Sequence, residues 1–153
     1  MPSELSIIEQ TSVKPGIMLA RGVSRALNQL GWATLTEVTL ANGRRADVLA
    51  LDNAGEIVIV EVKSCLEDFR SDRKWGEYRE FCDALYFAVP EEFPVELIPD
   101  ECGLMAADTF SAEIIRPAPL IRLAPARRKA MTLRFAQLAA QRLLRYADPG
   151  ALL

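Results

Sequence analysis

The chain reads as an α/β domain in which a mixed β-sheet is covered by helices on both faces. Three observations predict this. Apolar spacing switches between helical and strand periods in the order helix, three strands, helix, strand, two short strands, helix. Ile57-Val58-Ile59-Val60 is apolar on both faces, which places its strand centrally under cover on each side. The 153 residues fit one domain spanning 1–153, and the 50% hydrophobic content allows a sizeable core.

The elements follow in chain order. Residues 1–12 form a loose N-terminal arm. Thr11 or Ser12 caps a first helix with Pro15 in its first turn, and Ile17, Ala20, Val23, Leu27 and Leu30 share one face. Gly31 ends that helix as the C′ residue. Trp32 to Leu40 is rich in β-branched residues and reads as a strand. Asn42-Gly43 signals a two-residue hairpin into a second strand, Arg45 to Leu51. Asp52-Asn53-Ala54-Gly55 turns into a third strand, Glu56 to Lys63. Ser64 with Glu67 makes a capping box for the next helix, which breaks near Ser71-Asp72 and restarts toward Cys82. Ala84 to Val89 is a buried strand stopped by Pro90. An acidic loop over 91–102 leads to short strands Gly103 to Ala107 and Ala112 to Arg116. Pro117 to Pro125 links to a basic C-terminal helix, Ala126 to Tyr146, with Met131, Phe135, Leu138 and Leu143 near one side.

Composition narrows the chemistry. The chain has no histidine, which removes Ser-His and Cys-His nucleophile pairs and zinc sites built on imidazole. Cys65, Cys82 and Cys102 are odd in number and widely spaced, so they read as reduced thiols. No run of about 18 apolar residues occurs and the first ten residues lack a signal pattern, so the expected compartment is the cytoplasm, with no membrane partner. The net charge of −3 conceals an asymmetry. Glu80 to Glu113 carries nine acids and no base, whereas Arg116 to Tyr146 carries eight bases and no acid. Only local charge bears on a nucleic-acid partner.

The chemistry-bearing group is Asp47, Glu61 and Lys63. A three-residue loop Asn53-Ala54-Gly55, with Gly55 left-handed, pairs Asp52 with Glu56 and therefore sets Asp47 opposite Glu61. Cross-strand partners share a face with Cβ atoms roughly 5 Å apart. Lys63 shares that face roughly 6–7 Å along the strand. Two facing carboxylates repel unless a cation neutralises them, and oxygen ligands suit Mg²⁺ or Mn²⁺. A lysine alongside stabilises a developing anion or orients a water. The plainer alternative is a salt-bridged patch at the sheet's end.

Asp47…Glu61-Val62-Lys63 on consecutive strands, after a helix and a first strand, resembles the PD-(D/E)XK nuclease superfamily. The longer pattern is similar to the bacterial MmcB family, to which a DNA-repair endonuclease role is attributed. It comprises Glu61-Val62-Lys63-Ser64, Asp68-Phe69-Arg70, Asp72-Arg73-Lys74-Trp75, Tyr78, Cys82-Asp83 and Tyr86-Phe87-Ala88-Val89. Gly103-Leu104-Met105, Ala107-Asp108 and Ala126-Arg127-Arg128-Lys129-Ala130 complete it, so that the likeness covers roughly residues 13–149. The resemblance implies a restriction-endonuclease-like three-layer α/β/α sandwich. It implies Asp47, Glu61 and the Val62 carbonyl as Mg²⁺ (or Mn²⁺) ligands, with Lys63 positioning or activating the attacking water. Hydrolysis in line, generally leaving a 5′-phosphate, follows from the same resemblance, with no nucleotide cofactor. Two departures stand out. Ala46 occupies the proline position of the motif, and residues 17–30 contain no acid where many superfamily members carry a glutamate. Glu9 and Glu37 are the candidates to replace it. The missing helix acid favours the alternative of a catalytically weak or inactive nucleic-acid-binding module on a nuclease fold.

Around the site, Arg70, Arg73, Lys74 and Arg79, with Trp75 and Tyr78 interleaved, read as a phosphate-gripping and base-stacking segment. Asp68 or Asp72 pairs with Arg70 or Arg73. Arg127-Arg128-Lys129 places cations at a helix N-terminus against the macrodipole, so an external anion such as DNA phosphate or an acidic partner is expected there. The acidic loop is a candidate to dock on this helix within one chain or between two, and a second copy or a repair protein is the other candidate partner.

Overall fold

The computed structural model describes residues 14–152; the arm over 1–12, with Thr11 and Ser12, lies outside the described residues. Helix α1 (Pro15–Gln29) starts on a proline whose missing N–H costs nothing in the first turn, and Lys14 gives no side-chain cap. Its end forms as Gly31 requires. Gly31 sits at φ +91°, its N–H donates to the Asn28 carbonyl and the Trp32 N–H to the Leu27 carbonyl. The buried stripe is Leu19, Ala20, Gly22, Val23 and Leu27. Ile17 and Leu30 are exposed, contrary to expectation, because the sheet lies under the middle of the helix. Gly22 makes that approach close: a Cβ there would overlap the carbonyl oxygen of Asp108.

Six strands form one sheet in sequential order: β1 (Ala33–Thr39), β2 (Arg45–Leu51), β3 (Ile57–Val62), β4 (Ala84–Val89), β5 (Gly103–Ala107) and β6 (Ala112–Arg116). The β3–β4 and β4–β5 pairs are parallel and the other three antiparallel, so the sheet is mixed. Val48, Val58, Val60, Ala88 and Met105 meet α1 on one face. On the other face Ile57, Ile59, Leu85, Phe87 and Leu104 meet a 3₁₀ segment (Trp75–Phe81) and helix α3 (Pro125–Ala147). The architecture is therefore the expected layered α/β/α one.

Local departures have local causes. The first hairpin uses a three-residue loop, not two: Leu40 pairs with Arg44 and Gly43 takes φ +83°. Cys65, not Ser64, precedes α2 (Leu66–Ser71), and the Ser64 hydroxyl donates to Asp68, so no capping box forms. The segment after Asp72 restarts as 3₁₀ rather than α. In α3, Met131 and Phe135 are buried but Leu143 is 66% exposed, because the helix runs past the core. Among the described residues no acid of the loop pairs with α3; Glu101 pairs with Arg79 and Asp100 with Arg116. Cys82 and Cys102 are buried free thiols and Cys65 is an exposed one. Among the described residues, no helix is long and apolar enough to cross a membrane.

One irregularity shapes the site. Leu35 and Leu49 pack on the α3 side, and simple alternation would put Glu37 and Asp47 there next. Beyond them Val38, Leu40 and Ala46 return to that same side, so both strands change phase at the Glu37/Asp47 level. The offset is the same on either side, with Thr36 opposite Val48 and Val38 opposite Ala46, while Glu37 and Asp47 themselves drop out of the ladder. Glu37 absorbs the change with φ +51°, a conformation rare for residues other than glycine. The hairpin tip thereby folds over the 3₁₀ segment.

Candidate active site

β2 and β3 pair from Leu51/Ile57 to Val48/Val60, the register that sets Asp47 opposite Glu61. There the ladder stops and side chains replace it. The Asp47 N–H donates to Glu61 Oε1 (3.1 Å), and the Val62 N–H donates to Asp47 Oδ2 (2.8 Å). Each carboxylate thus uses one oxygen on the opposite backbone. Asp47 Oδ1 and Glu61 Oε2 have no backbone partner among the described residues, and the two side chains hydrogen-bond to one another when Glu61 is protonated. In an extended residue N–H and C=O point to the same side, so the Val62 carbonyl also faces Asp47. These three oxygens are hard donors that suit Mg²⁺ or Mn²⁺. Among the described residues no group of three or more His, Cys, Asp or Glu side chains is arranged to hold a metal ion.

The electrostatics fit such a donor set. Glu61 is only 3% exposed. Burial, and then the neighbouring Asp47 charge, push its carboxyl up to about 9. Burial also raises Asp47, against the Val62 N–H. A raised carboxyl stabilises the fold in its protonated form. That stability is complete below the unfolded value of about 4.3 and is lost progressively as pH rises toward 9. Glu61→Gln keeps the acceptor for the Asp47 N–H and cannot ionise. In EDTA it is therefore expected to unfold at the same urea concentration as the parent at pH 4.5 and at a higher one at pH 8.5. A variant less stable than the parent at pH 8.5 would contradict the raised carboxyl.

Lys63 continues the strand, since its N–H donates to the Ala88 carbonyl (3.0 Å). Its side chain therefore lies on the face of Glu61. Its Nζ meets Asp72 Oδ2 at 2.7 Å, both groups being largely buried. Asp72 pairs with Lys63, and not with Arg70 or Arg73. Its other oxygen accepts the Lys74 N–H (3.1 Å), which orders the turn out of α2. Asp47, Glu61, Val62 and Lys63 form the floor of an open cavity of about 730 Å³. One wall is the hairpin tip with Arg44 and Arg45, and the other carries Asp72, Lys74 and Glu77. The walls are tied together. Arg44 pairs with Glu77 (2.6 Å), and the Tyr78 hydroxyl donates to the Arg45 carbonyl (3.1 Å).

The expected DNA-contacting residues divide. Lys74 lines the cavity; Arg70 and Arg73 are exposed nearby on α2 and its exit. Trp75 is half-buried with its ring edge-on to Phe87 at 5.8 Å, and Tyr78 is buried, so neither offers a face for base stacking. Arg128 donates to both oxygens of Asp83 and to the Gly55 carbonyl, which withdraws it from DNA contact. Arg127 lies over the Phe81 ring at 4.4 Å, and Lys129 is exposed. These three sit near the start of β3. At about 3.3 Å per residue that is about 13 Å from Glu61. The basic triplet and the acidic site are thus at opposite ends of the strand. Sequence reasoning missed Arg44, Arg45 and Arg142, and gave Asp72 the wrong partner. Arg142 belongs to the far end of α3, and its guanidinium holds the Glu37 carbonyl (3.0 Å) behind Asp47. Arg45, two residues before Asp47, was legible in principle from strand register.

Residues 4–150 match the family model described as MmcB-like, DNA repair protein MmcB-like. A solved structure of a protein of unknown function from Silicibacter pomeroyi is 47% identical over 91% of this chain and 95% of that one, with a TM-score of 0.88. No curated protein matches the chain.

Proposed function

The chain belongs to the MmcB-like DNA repair family, and from that premise we propose that it is a metal-dependent DNA endonuclease that hydrolyses phosphodiester bonds at Asp47, Glu61 and Lys63. The observation that carries this is the broken ladder, which leaves one oxygen on each of two facing carboxylates without a backbone partner, with Lys63 on the same face. Asp47, Glu61 and the Val62 carbonyl would hold Mg²⁺ or Mn²⁺. When bound, the cation neutralises the carboxylates and polarises a phosphoryl oxygen. Lys63 donates hydrogen bonds toward the phosphate and the attacking water, and Asp72 fixes its ammonium. In the reaction a water oxygen bonds to phosphorus while one ester P–O bond breaks. The water gives up a proton and the departing oxygen gains one. Arg45 and Lys74, which have no carboxylate partner among the described residues, bring positive charge to the rim of the cavity, where it attracts a polyanionic substrate.

A second reading has its own observation. α1 contributes Gly16, Ile17, Ala20 and Arg21 beside Asp47, and no carboxylate. A site with two acids instead of three favours a DNA-binding module with weak or no catalysis. Supercoiled plasmid and single-stranded and branched oligonucleotides, incubated with Mg²⁺ or Mn²⁺, separate the two. The nuclease reading expects nicking that needs the metal and disappears in Asp47→Ala. Equal cleavage by Asp47→Ala would identify a contaminant. DNA binding without cleavage, and without calorimetric Mg²⁺ binding dependent on Asp47, would establish the second reading.

A further inference from the structure

Asp47 and Val62 line two cavities, not one. The larger, already described, opens on the α3 side of the sheet. A smaller one of about 290 Å³ opens on the α1 side and is walled by Gly16, Ala20, Arg21, Thr36 and Glu37. The kink at Glu37/Asp47 accounts for this: the hairpin leaves the plane of the sheet and exposes the end of β2 and β3 from both faces. Exposed cations stand at both openings. Arg45 and Lys74 line the larger cavity, and Arg21 lines the smaller. None of the three has a carboxylate partner among the described residues, whereas Arg44, Arg79, Arg116 and Arg128 all do. Arg21 makes only a contact from Nη1 to the Met18 sulfur, at 3.9 Å.

We infer that the two cavities are the halves of one cleft through which a single strand of nucleic acid passes, its phosphates met by Arg45 and Lys74 on one side of Asp47 and by Arg21 on the other. The inference rests on the site proposed above and adds its substrate class. Size argues for one strand. The smaller cavity holds only about 290 Å³ and lies against the first turns of α1, which leaves space for one phosphodiester backbone and not for two paired strands. Small residues Gly16 and Ala20 leave room for that chain against α1. Glu37 and Asp47 are the acids in the smaller opening and set its limit: a phosphate passing there lies nearer Arg21 than either carboxylate. With Trp75 and Tyr78 turned into the core, contact is to the backbone and carries no base preference.

Fluorescence anisotropy in EDTA with a labelled 20-nucleotide single strand and the matching blunt duplex tests this. The full chain, Arg21→Ala, Arg45→Ala, their double variant and Lys129→Ala at the far end of the sheet are compared. The single strand is expected to bind tighter than the duplex. Each cleft variant should lose about three- to fivefold in affinity, the upper range for an exposed ion pair. The slope of log affinity against log salt should shrink by about 0.7 per cation removed. Lys129→Ala should change neither. Tighter duplex binding, or an Arg21→Ala variant with the parent's affinity and slope, would overturn the through-cleft. Because these arms contain no metal, they stand apart from the nuclease reading. Arg21-dependent binding without cleavage sinks catalysis alone, and cleavage with unchanged KM in Arg21→Ala sinks the cleft alone.

Discussion

Lys63→Ala is expected to lower single-turnover cleavage by roughly 10²–10³-fold, the loss typical of one preorganised donor to a developing anion, while DNA affinity in EDTA changes by less than about fivefold. The split follows from position. Lys63 lies on the face of Glu61 in a largely buried ion pair, so its charge is already oriented when a phosphate arrives. Arg21, Arg45 and Lys74 stand at the openings and act on binding. Asp72→Asn is the companion variant. It leaves Lys63 in the cavity but removes its anchor, and is expected to lower the rate by a smaller factor than Lys63→Ala with the same small effect on affinity. If Lys63→Ala cleaves at the parental rate, the catalytic assignment fails. If both variants lose DNA affinity in parallel with rate, Lys63 is a binding residue.

The register of the candidate site was legible because one glycine fixes it. Gly55 takes φ +84° in a three-residue loop, Asp52 pairs with Glu56, and Asp47 then has to meet Glu61. What the sequence concealed was the phase change one strand further out. No local pattern announces that Glu37 adopts a left-handed conformation; the bond that holds it comes from Arg142, 105 residues away. The same distance problem misled the reading of the cationic helix start. Arg127-Arg128-Lys129 at an N-terminus does call for an anion. The anion is internal, Asp83, 45 residues earlier in the chain. The aromatic segment failed differently. Trp75 and Tyr78 look available beside Lys74, but the 3₁₀ winding turns both toward Phe87 and the hairpin, where they close the core under the site.

Arg128→Ala is expected to be the most destabilising surface-helix substitution in the protein, at about 3–5 kcal/mol, the cost of stripping the partner from a buried charge. Asp83 is 1% exposed, covered by Arg128. Its two oxygens accept from Arg128 and from the backbone of Ile57 (2.8 Å) and Leu123 (2.8 Å), so one side chain joins β3, β4, the linker and α3. Burial alone would raise the Asp83 carboxyl, but Arg128 and the two N–H groups outweigh it and hold it below its ordinary value. A depressed carboxyl contributes stability above its unfolded value near 3.9, and that stability is lost as pH falls through the folded one. Acid should therefore erode the parent and leave an Asp83→Ala variant less changed. By urea titration at pH 7 the Arg128→Ala loss should appear as an earlier midpoint, and by melting as a drop of roughly 10 °C. The pair lies at the opposite end of β3 from Asp47, so folded Arg128→Ala should keep the parent's DNA affinity and salt slope. A slope reduced by about 0.7–0.9 with little loss of stability would reverse the assignment and return Arg128 to the phosphate-binding surface.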